Sequence, residues 1–179
     1  MPMSLEFLKH ADAVEPATLD ELMDAYGNDV LQYAYAITKD REAAKDVAQE
    51  TFIKAHYKID SFRGQSSIRT WLLAIARNVA LNHVTSSYWR RVLTFASIKS
   101  RQTSMSAEAA YLGRQSAADI WSIIMSLPDK LREALVLDLQ HGLSVQEIAA
   151  LLRIPEGTVK SRLHRARVKV ENGMKEWER

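Results

Sequence analysis

The 179-residue chain contains no cysteine. Disulfides, thiolate nucleophiles, Cys-ligated zinc and iron–sulfur clusters are therefore excluded together. Glycine and proline are sparse, at 6 and 4 residues, so the chain is neither collagenous nor of low complexity. No hydrophobic run approaches the roughly 18 residues that a membrane span needs, and the richest, Trp71 to Leu81, is interrupted by Arg77. The start, Met1-Pro2-Met3-Ser4-Leu5-Glu6, lacks the basic region and small-residue cleavage site of an export signal, which makes the cytoplasm the expected compartment. The five histidines, His10, His56, His83, His141 and His164, show no metal-binding spacing, so no metal site is expected and each reads as a surface or capping residue. Neither G-x-G-x-x-G nor G-x-x-x-x-G-K-[ST] is present. No catalytic residues and no cofactor are expected, and the chain does not read as an enzyme.

What is present is a sufficient apolar content, 47%, and a strongly uneven charge. Residues 1–60 carry 6 Lys/Arg against 12 Asp/Glu, a net of −6; residues 61–115 carry 8 against 1, a net of +7; residues 116–179 carry 10 against 9. Such polarity fits an acidic surface for a protein partner and a basic one for a polyanion, against the plainer reading of solvated charged faces.

The hydrophobic spacing is helical throughout, with no alternating β-branched runs, and predicts an all-α protein. Thr18-Leu19-Asp20-Glu21 is a capping box opening a first helix that carries Leu22, Tyr26, Val30, Tyr33, Ala34 and Ile37, with a break expected near Gly27-Asn28. Asp40 caps a second helix running to about Asp60, and a loop through Ser61–Ser67 precedes a third from about Ile68 to Tyr88. Periodicity then weakens among Thr94, Ser97, Ser100, Gln102, Thr103, Ser104 and Ser106, and this basic stretch reads as a flexible interdomain linker. The expected divisions are a leader over 1–17, a domain over 18–90, the linker over 91–115 and a second domain over 116–179. In the last of these, helices are expected over about Ser116–Ser126 and Asp129–His141, with Gly142 as the stop.

The most specific local pattern runs from Gly142 to Leu163. Ser144 and Glu147 form a capping box for a short helix burying Ile148, Ala149 and Leu152; Pro155 blocks its continuation and permits a new first turn at Glu156. This is helix, tight turn, helix. In the second helix Val159, Leu163, Ala166 and Val170 share the core stripe. The opposite face carries Gly157, Ser161, His164 and Val168, flanked by Lys160 and Arg165, with Arg162, Arg167 and Lys169 nearer the packed edge. Five Lys/Arg against one Glu between Glu156 and Val170 suit a major groove and its phosphates, with salt-dependent affinity.

In the second helix Ala44, Val47, Ala48, Phe52, Ala55 and Ile59 form the buried stripe, leaving Glu42, Asp46, Gln49, Glu50, Ile53 and Tyr57 outside. Exposed Ile and Tyr among carboxylates combine apolar area with steering charge, as a protein interface requires. The third helix is apolar nearly all round (Ile68, Trp71, Leu72, Leu73, Ile75, Val79, Leu81), which predicts a central position; Asn78 and Asn82 on its Trp71 edge either satisfy neighbouring backbone or present amides to a ligand.

Asp40-Arg41-Glu42-Ala43-Ala44-Lys45-Asp46-Val47-Ala48-Gln49-Glu50-Thr51-Phe52-Ile53-Lys54-Ala55, then Ser61-Phe62-Arg63-Gly64, then Thr70-Trp71-Leu72-Leu73-Ala74-Ile75-Ala76-Arg77-Asn78 resemble region 2 of the extracytoplasmic-function sigma factors of the sigma-70 family. Leu127-Pro128, Arg132-Glu133-Ala134, Gly142-Leu143-Ser144, Glu147-Ile148-Ala149 and Gly157-Thr158-Val159-Lys160-Ser161-Arg162-Leu163-His164-Arg165-Ala166-Arg167 resemble region 4. Two motif sets in order are far more specific than either alone. The resemblance implies that Asp46, Gln49, Glu50 and Ile53 dock on the clamp of core RNA polymerase. It implies that Phe62, Arg63, Trp71, Asn78 and Asn82 open and read the minus-10 element of promoter DNA. Thr158, Lys160, Ser161, Arg162, His164, Arg165 and Arg167 would contact the minus-35 duplex. It further implies an anti-sigma factor as regulator, of a kind that can be membrane-anchored, with no membrane insertion by the chain itself.

Two departures stand out. Arg153 occupies the turn position where many helix-turn-helices have Gly, so a strained backbone is expected there. The linker is basic and semi-apolar (Tyr88, Trp89, Val92, Leu93, Phe95, Ile98), which suggests packing on a domain or on an anti-sigma partner. Two other classes share parts of the pattern: a helix-turn-helix regulator with a sensing or dimerising domain, and a helical adaptor that binds protein alone.

Overall fold

The computed structural model describes residues 18–93 and 120–177. These form α1 (Leu19–Thr38), α2 (Arg41–Lys58), a 3₁₀ turn (Ile59–Ser61), α3 (Ile68–Leu93), a helical segment α4 over 120–126, α5 (Asp129–Leu139), α6 (Val145–Leu152) and α7 (Glu156–Trp177). No strand occurs among the described residues, as the helical periodicity predicts. The leader and most of the linker, with the packing expected of it, lie outside the described residues.

The starts of the first three helices follow from capping chemistry. The Thr18 hydroxyl accepts from the Glu21 N–H at 3.3 Å while the Glu21 carboxylate accepts from the Thr18 N–H at 2.9 Å. Asp40 accepts from the Ala43 N–H at 2.9 Å, and Ser67 accepts from the Thr70 N–H at 3.1 Å to start α3. Each bond satisfies a donor that the first helical turn leaves free. α1 differs from expectation: it passes unbroken through Gly27-Asn28. A mid-helix glycine costs only about 1 kcal/mol, and the burial of Leu22 on one side and Val30, Tyr33 and Ala34 on the other outweighs it. α3 runs to Leu93, beyond the expected Tyr88. Its expected all-round burial also fails at Leu81, which is exposed where the helix extends past its neighbours.

α1, α2 and α3 pack pairwise around Tyr33, Val47, Phe52, Leu72, Leu73 and Ala76; α5, α6 and α7 pack around Leu135, Ile148, Leu152, Val159, Leu163 and Ala166. α7 crosses α4 closely at Gly173, where a Cβ would stand 3.0 Å from Ile123 Cγ2. The helix-turn-helix forms as its sequence dictates. Ser144 and Glu147 make the reciprocal capping box, Gly142 turns the chain at φ +62°, and the Pro155 carbonyl accepts from Thr158 and Val159 to open α7. Arg153 does sit in the left-handed region, at φ 56°, ψ 51°, with its N–H bonded back to the Ala149 and Ala150 carbonyls. A non-glycine residue there is strained, and those bonds hold it.

The two helical units do not stand apart. α1 packs on α5 and α3 on α6, and the buried residues of both units form one connected core.

Candidate functional site

Three exposed faces surround this core. On α2, Ala44, Val47, Thr51, Phe52 and Ala55 are buried, and Glu42, Asp46, Gln49, Glu50, Ile53 and Tyr57 are all exposed. Ile53 is 46% and Tyr57 81% exposed; two such apolar side chains amid carboxylates make a patch rather than isolated surface residues. Glu50 is braced by Lys54 at 2.7 Å, which fixes its position without removing it from solvent.

The second face lies at the start of α3. The Phe62 and Trp71 rings pack at 5.3 Å between centroids, tilted by 51°, a separation typical of stabilising aromatic pairs. This contact anchors the loop that displays exposed Arg63, and Gly64 at φ +67° turns that loop. Asn78 and Asn82 follow about two and three turns beyond Trp71 on the same edge, and both are exposed. Of the two readings left open for them, presentation outward is the one this placement favours.

The third face is on α7. Val159, Leu163 and Ala166 are buried, Val170 is half-buried, and Lys160, Ser161, His164 and Arg165 point outward. Arg165 is held over Ser161, Nη2 donating to Oγ at 3.2 Å and Nε to the carbonyl at 3.3 Å. Arg162 and Thr158 are half-buried at the packed edge. Arg167 is exposed but committed to Asp138 of α5, Nη2 to Oδ2 at 2.7 Å, so it ties α7 to its scaffold.

Sequence reasoning missed a polar seam between the units. Arg132, 1% exposed, donates from Nε to the Ala36 carbonyl at 2.6 Å, from Nη1 to the Leu127 carbonyl at 2.7 Å, and pairs through Nη2 with Asp129 at 2.7 Å. It thereby caps the C-terminal end of α1, where free carbonyls favour a cation, and holds the Asp129 carboxyl below its ordinary value. Arg77 and Tyr33 converge on one oxygen of Glu133, at 2.7 and 3.2 Å. Burial raises the Tyr33 hydroxyl well above its usual range, and the Glu133 charge adds to the rise, so it stays a donor. Arg69 pairs with Asp29 at 2.7 Å and donates to the His141 carbonyl at 2.8 Å.

His141 is itself buried, not the surface or capping residue expected from sequence. Its ring meets Tyr33 edge-on at 5.7 Å, its Nδ1 lies 3.3 Å from Arg69 Nη2 and 3.9 Å from Asp29 Oδ1, and its Nε2 has no hydrogen-bond partner. Burial, assisted by Arg69 and opposed by Asp29, lowers its pKa from 6.5 to about 4. Above pH 6.5 the imidazole is neutral whether folded or unfolded. As the pH falls through the interval down to about 4, the unfolded chain binds a proton that the folded chain refuses, and stability is lost. Urea midpoints are therefore expected to fall between pH 7.5 and pH 5 by an amount worth about 2 kcal/mol, and this fall should shrink in His141→Gln. An equal fall in parent and variant would assign the acid sensitivity elsewhere.

A family model described as sigma-70 region 2 matches residues 22–90, and one described as sigma-70, region 4 matches residues 117–170. The RNA polymerase sigma-H factor of Pseudomonas aeruginosa is 35% identical over 164 residues, covering 87% of this chain and 85% of its own length. The chain belongs to the sigma-70 family. The ECF RNA polymerase sigma-E factor of Escherichia coli is 38% identical over 136 residues, 71% of each chain, which places this sigma factor in the extracytoplasmic-function group. The sigma factor RpoE, solved with the anti-sigma factor NepR from Bartonella quintana, superposes with a TM-score of 0.72 at 24% identity, over 87% of this chain and 96% of that one; it shares the fold. Family membership on both regions favours a sigma factor over the helix-turn-helix regulator and the adaptor. Sigma factors are initiation factors and not enzymes. No helix among the described residues is long and apolar enough to cross a membrane.

Proposed function

We propose that the three exposed faces divide the work of promoter-specific initiation among them. The α2 face, through Asp46, Gln49, Glu50 and Ile53, docks on core RNA polymerase. Carboxylates set the approach and register, while Ile53 and its neighbour Tyr57 supply apolar area. The α3 edge, through Phe62, Arg63, Trp71, Asn78 and Asn82, holds the opened minus-10 strand: aromatic rings offer stacking, amides read base edges and Arg63 meets the backbone. The α7 face reads the minus-35 duplex, with Lys160, Ser161, His164 and Arg165 outermost, Thr158 and Arg162 at the rim, and Arg167 bracing the helix from α5. The work takes place in the bacterial cytoplasm.

The observation that carries this reading is the α2 face, where Ile53 and Tyr57 stay exposed beside three acidic side chains although the same helix buries its other apolar residues. A DNA-binding regulator does not need such a surface, whereas a subunit that recruits polymerase does. An anti-sigma factor is the regulator that fits. An open cavity of about 490 Å³ runs between the two units, lined by Leu31, Tyr35, Ala44 and Trp121 with Arg41 and Lys45 at its edge, and suits an amphipathic segment bearing carboxylates.

Co-elution with core polymerase tests the α2 assignment. The parent chain is expected to co-elute, and Asp46→Ala/Gln49→Ala/Glu50→Ala together should weaken association at least tenfold while leaving helicity intact. Unchanged association of the folded triple variant would remove α2 from the docking surface.

A further inference from the structure

The cavity lined by Leu31, Tyr35, Ala44 and Trp121 has three features that the packing of the helices does not account for. Its edge carries an uncompensated cation: Arg41 is exposed and has no ion-pair partner among the described residues, whereas Lys45 shares its charge with Glu42 at 2.8 Å. Its wall holds an unmet acceptor, Gln140 Oε1, which is buried without a hydrogen-bond partner among the described residues. A buried atom of this kind calls for a donor. Its approach along α1 is bare. Gly27, Leu31 and Tyr35 follow one another at four-residue intervals on one side of the helix, and a Cβ on Gly27 would meet nothing within 4 Å. A glycine inside a helix costs about 1 kcal/mol relative to alanine, and no packed neighbour requires one here.

An occupant that answers all three brings apolar side chains, a carboxylate and free backbone N–H groups, and lies close against α1 where Gly27 has no side chain. An extended peptide segment does this. The leader supplies one: Leu5-Glu6-Phe7-Leu8 sets a carboxylate among three large apolar residues, and residues 1–17 carry Lys9 against Glu6, Asp12 and Glu15, a net of −2. Residues 94–115 carry Lys99, Arg101 and Arg114 against Glu108, a net of +2, and would set like charge against Arg41. The tether is long enough. The leader ends at Thr18, which caps α1, and Leu31 and Tyr35 lie about 18 and 24 Å along that helix from its first residue at about 1.5 Å per residue. The stretch from Phe7 to Thr18 spans up to about 36 Å when extended, so a leader turned back along α1 brings Leu5–Leu8 over the cavity.

We infer that Leu5–Leu8 of the leader dock in this cavity, reaching it along the strip of α1 that Gly27 leaves bare, with Glu6 against Arg41. The leader is then the resident occupant that an anti-sigma segment has to displace. That consequence rests on the proposed regulator; the docking is a property of the chain alone and is measured without polymerase, promoter or partner.

Because the chain lacks cysteine, Ser4→Cys takes a single bimane label, whose fluorescence an indole quenches only at near contact. In the full chain the label should be quenched, and Trp121→Phe should relieve the quenching. Arg41→Glu combined with Lys45→Glu sets carboxylates against Glu6 and should lower the docked-to-undocked ratio at least about tenfold. Both positions are exposed near the start of α2, where acidic side chains suit the helix, so the fold is retained. Adding Glu6→Lys to that variant should restore quenching. Gly27→Leu, whose Cβ enters open space, should release the label without loss of helicity. Equal fluorescence in the parent, Trp121→Phe and the charge-reversed chain would overturn the docking while leaving the sigma function standing. Quenching relieved by Trp121→Phe but unmoved by charge reversal would overturn the pairing of Glu6 with Arg41 that selects this segment. Quenching that rises with chain concentration would give the cavity to the leader of a second copy and overturn the intramolecular site.

Discussion

Replacing Arg132 by alanine is expected to lower the midpoint of thermal unfolding by about 10 °C. The guanidinium serves three partners in a site where it is 1% exposed: the carbonyls of Ala36 and Leu127 and the carboxylate of Asp129. Truncation strands the two carbonyls and leaves a void where the side-chain stem was. Removing one member of such a buried network costs about 3–5 kcal/mol, and for a chain of this length each kcal/mol is worth about 2–4 °C. Arg132→Lys should recover only part of the loss, because an ammonium cannot reproduce the three-way fork. Differential scanning calorimetry decides the matter, and a shift of less than about 2 °C in Arg132→Ala would mean that the seam contributes little to the folded state.

Lys160→Ala, Arg162→Ala and Arg165→Ala together are expected to weaken duplex binding about a hundredfold at moderate salt and to flatten its salt dependence. Each phosphate contact releases counterions and contributes about 0.9 to the slope of log affinity against log salt, so three contacts lower the slope by about 3. Arg167 is left out of this set because its guanidinium is engaged by Asp138; Arg167→Ala should cost stability more than affinity. Fluorescence anisotropy of a labelled minus-35 duplex across a salt series measures both quantities. A triple variant with the parent's slope would show that α7 does not meet phosphates through these side chains.

Local rules in the sequence account for most of the helices and for the three faces. Thr18, Asp40 and Ser144 each announce a helix through a side chain that can accept from its own first turn, and the spacing of Val47, Phe52 and Ala55 already separates the buried side of α2 from Asp46, Glu50 and Ile53. The break expected at Gly27-Asn28 failed because glycine weakens a helix by an amount that tertiary burial easily exceeds. The seam was not legible for a different reason. Arg132 and Ala36 are 96 residues apart, and Arg77 and Glu133 are 56 apart; such pairs leave no periodic trace, and each arginine alone reads as a solvated charge. One signal was available. Arg69 and Arg77 stand on one side of the apolar first half of α3, and charges so placed need partners. His141 shows the same limit, since its burial is set by α1 and α3 rather than by its neighbours in sequence.

Transcription from a library of promoter fragments, with core RNA polymerase stripped of other sigma factors, tests the sigma function most directly. With the parent chain, discrete start sites should appear, each preceded at fixed spacing by shared minus-10 and minus-35 sequences. These starts should vanish in the Asp46→Ala/Gln49→Ala/Glu50→Ala variant and without the chain. No chain-dependent start at any fragment, together with salt-sensitive duplex binding by the chain alone, would contradict the sigma function and return the protein to the class of helix-turn-helix regulators.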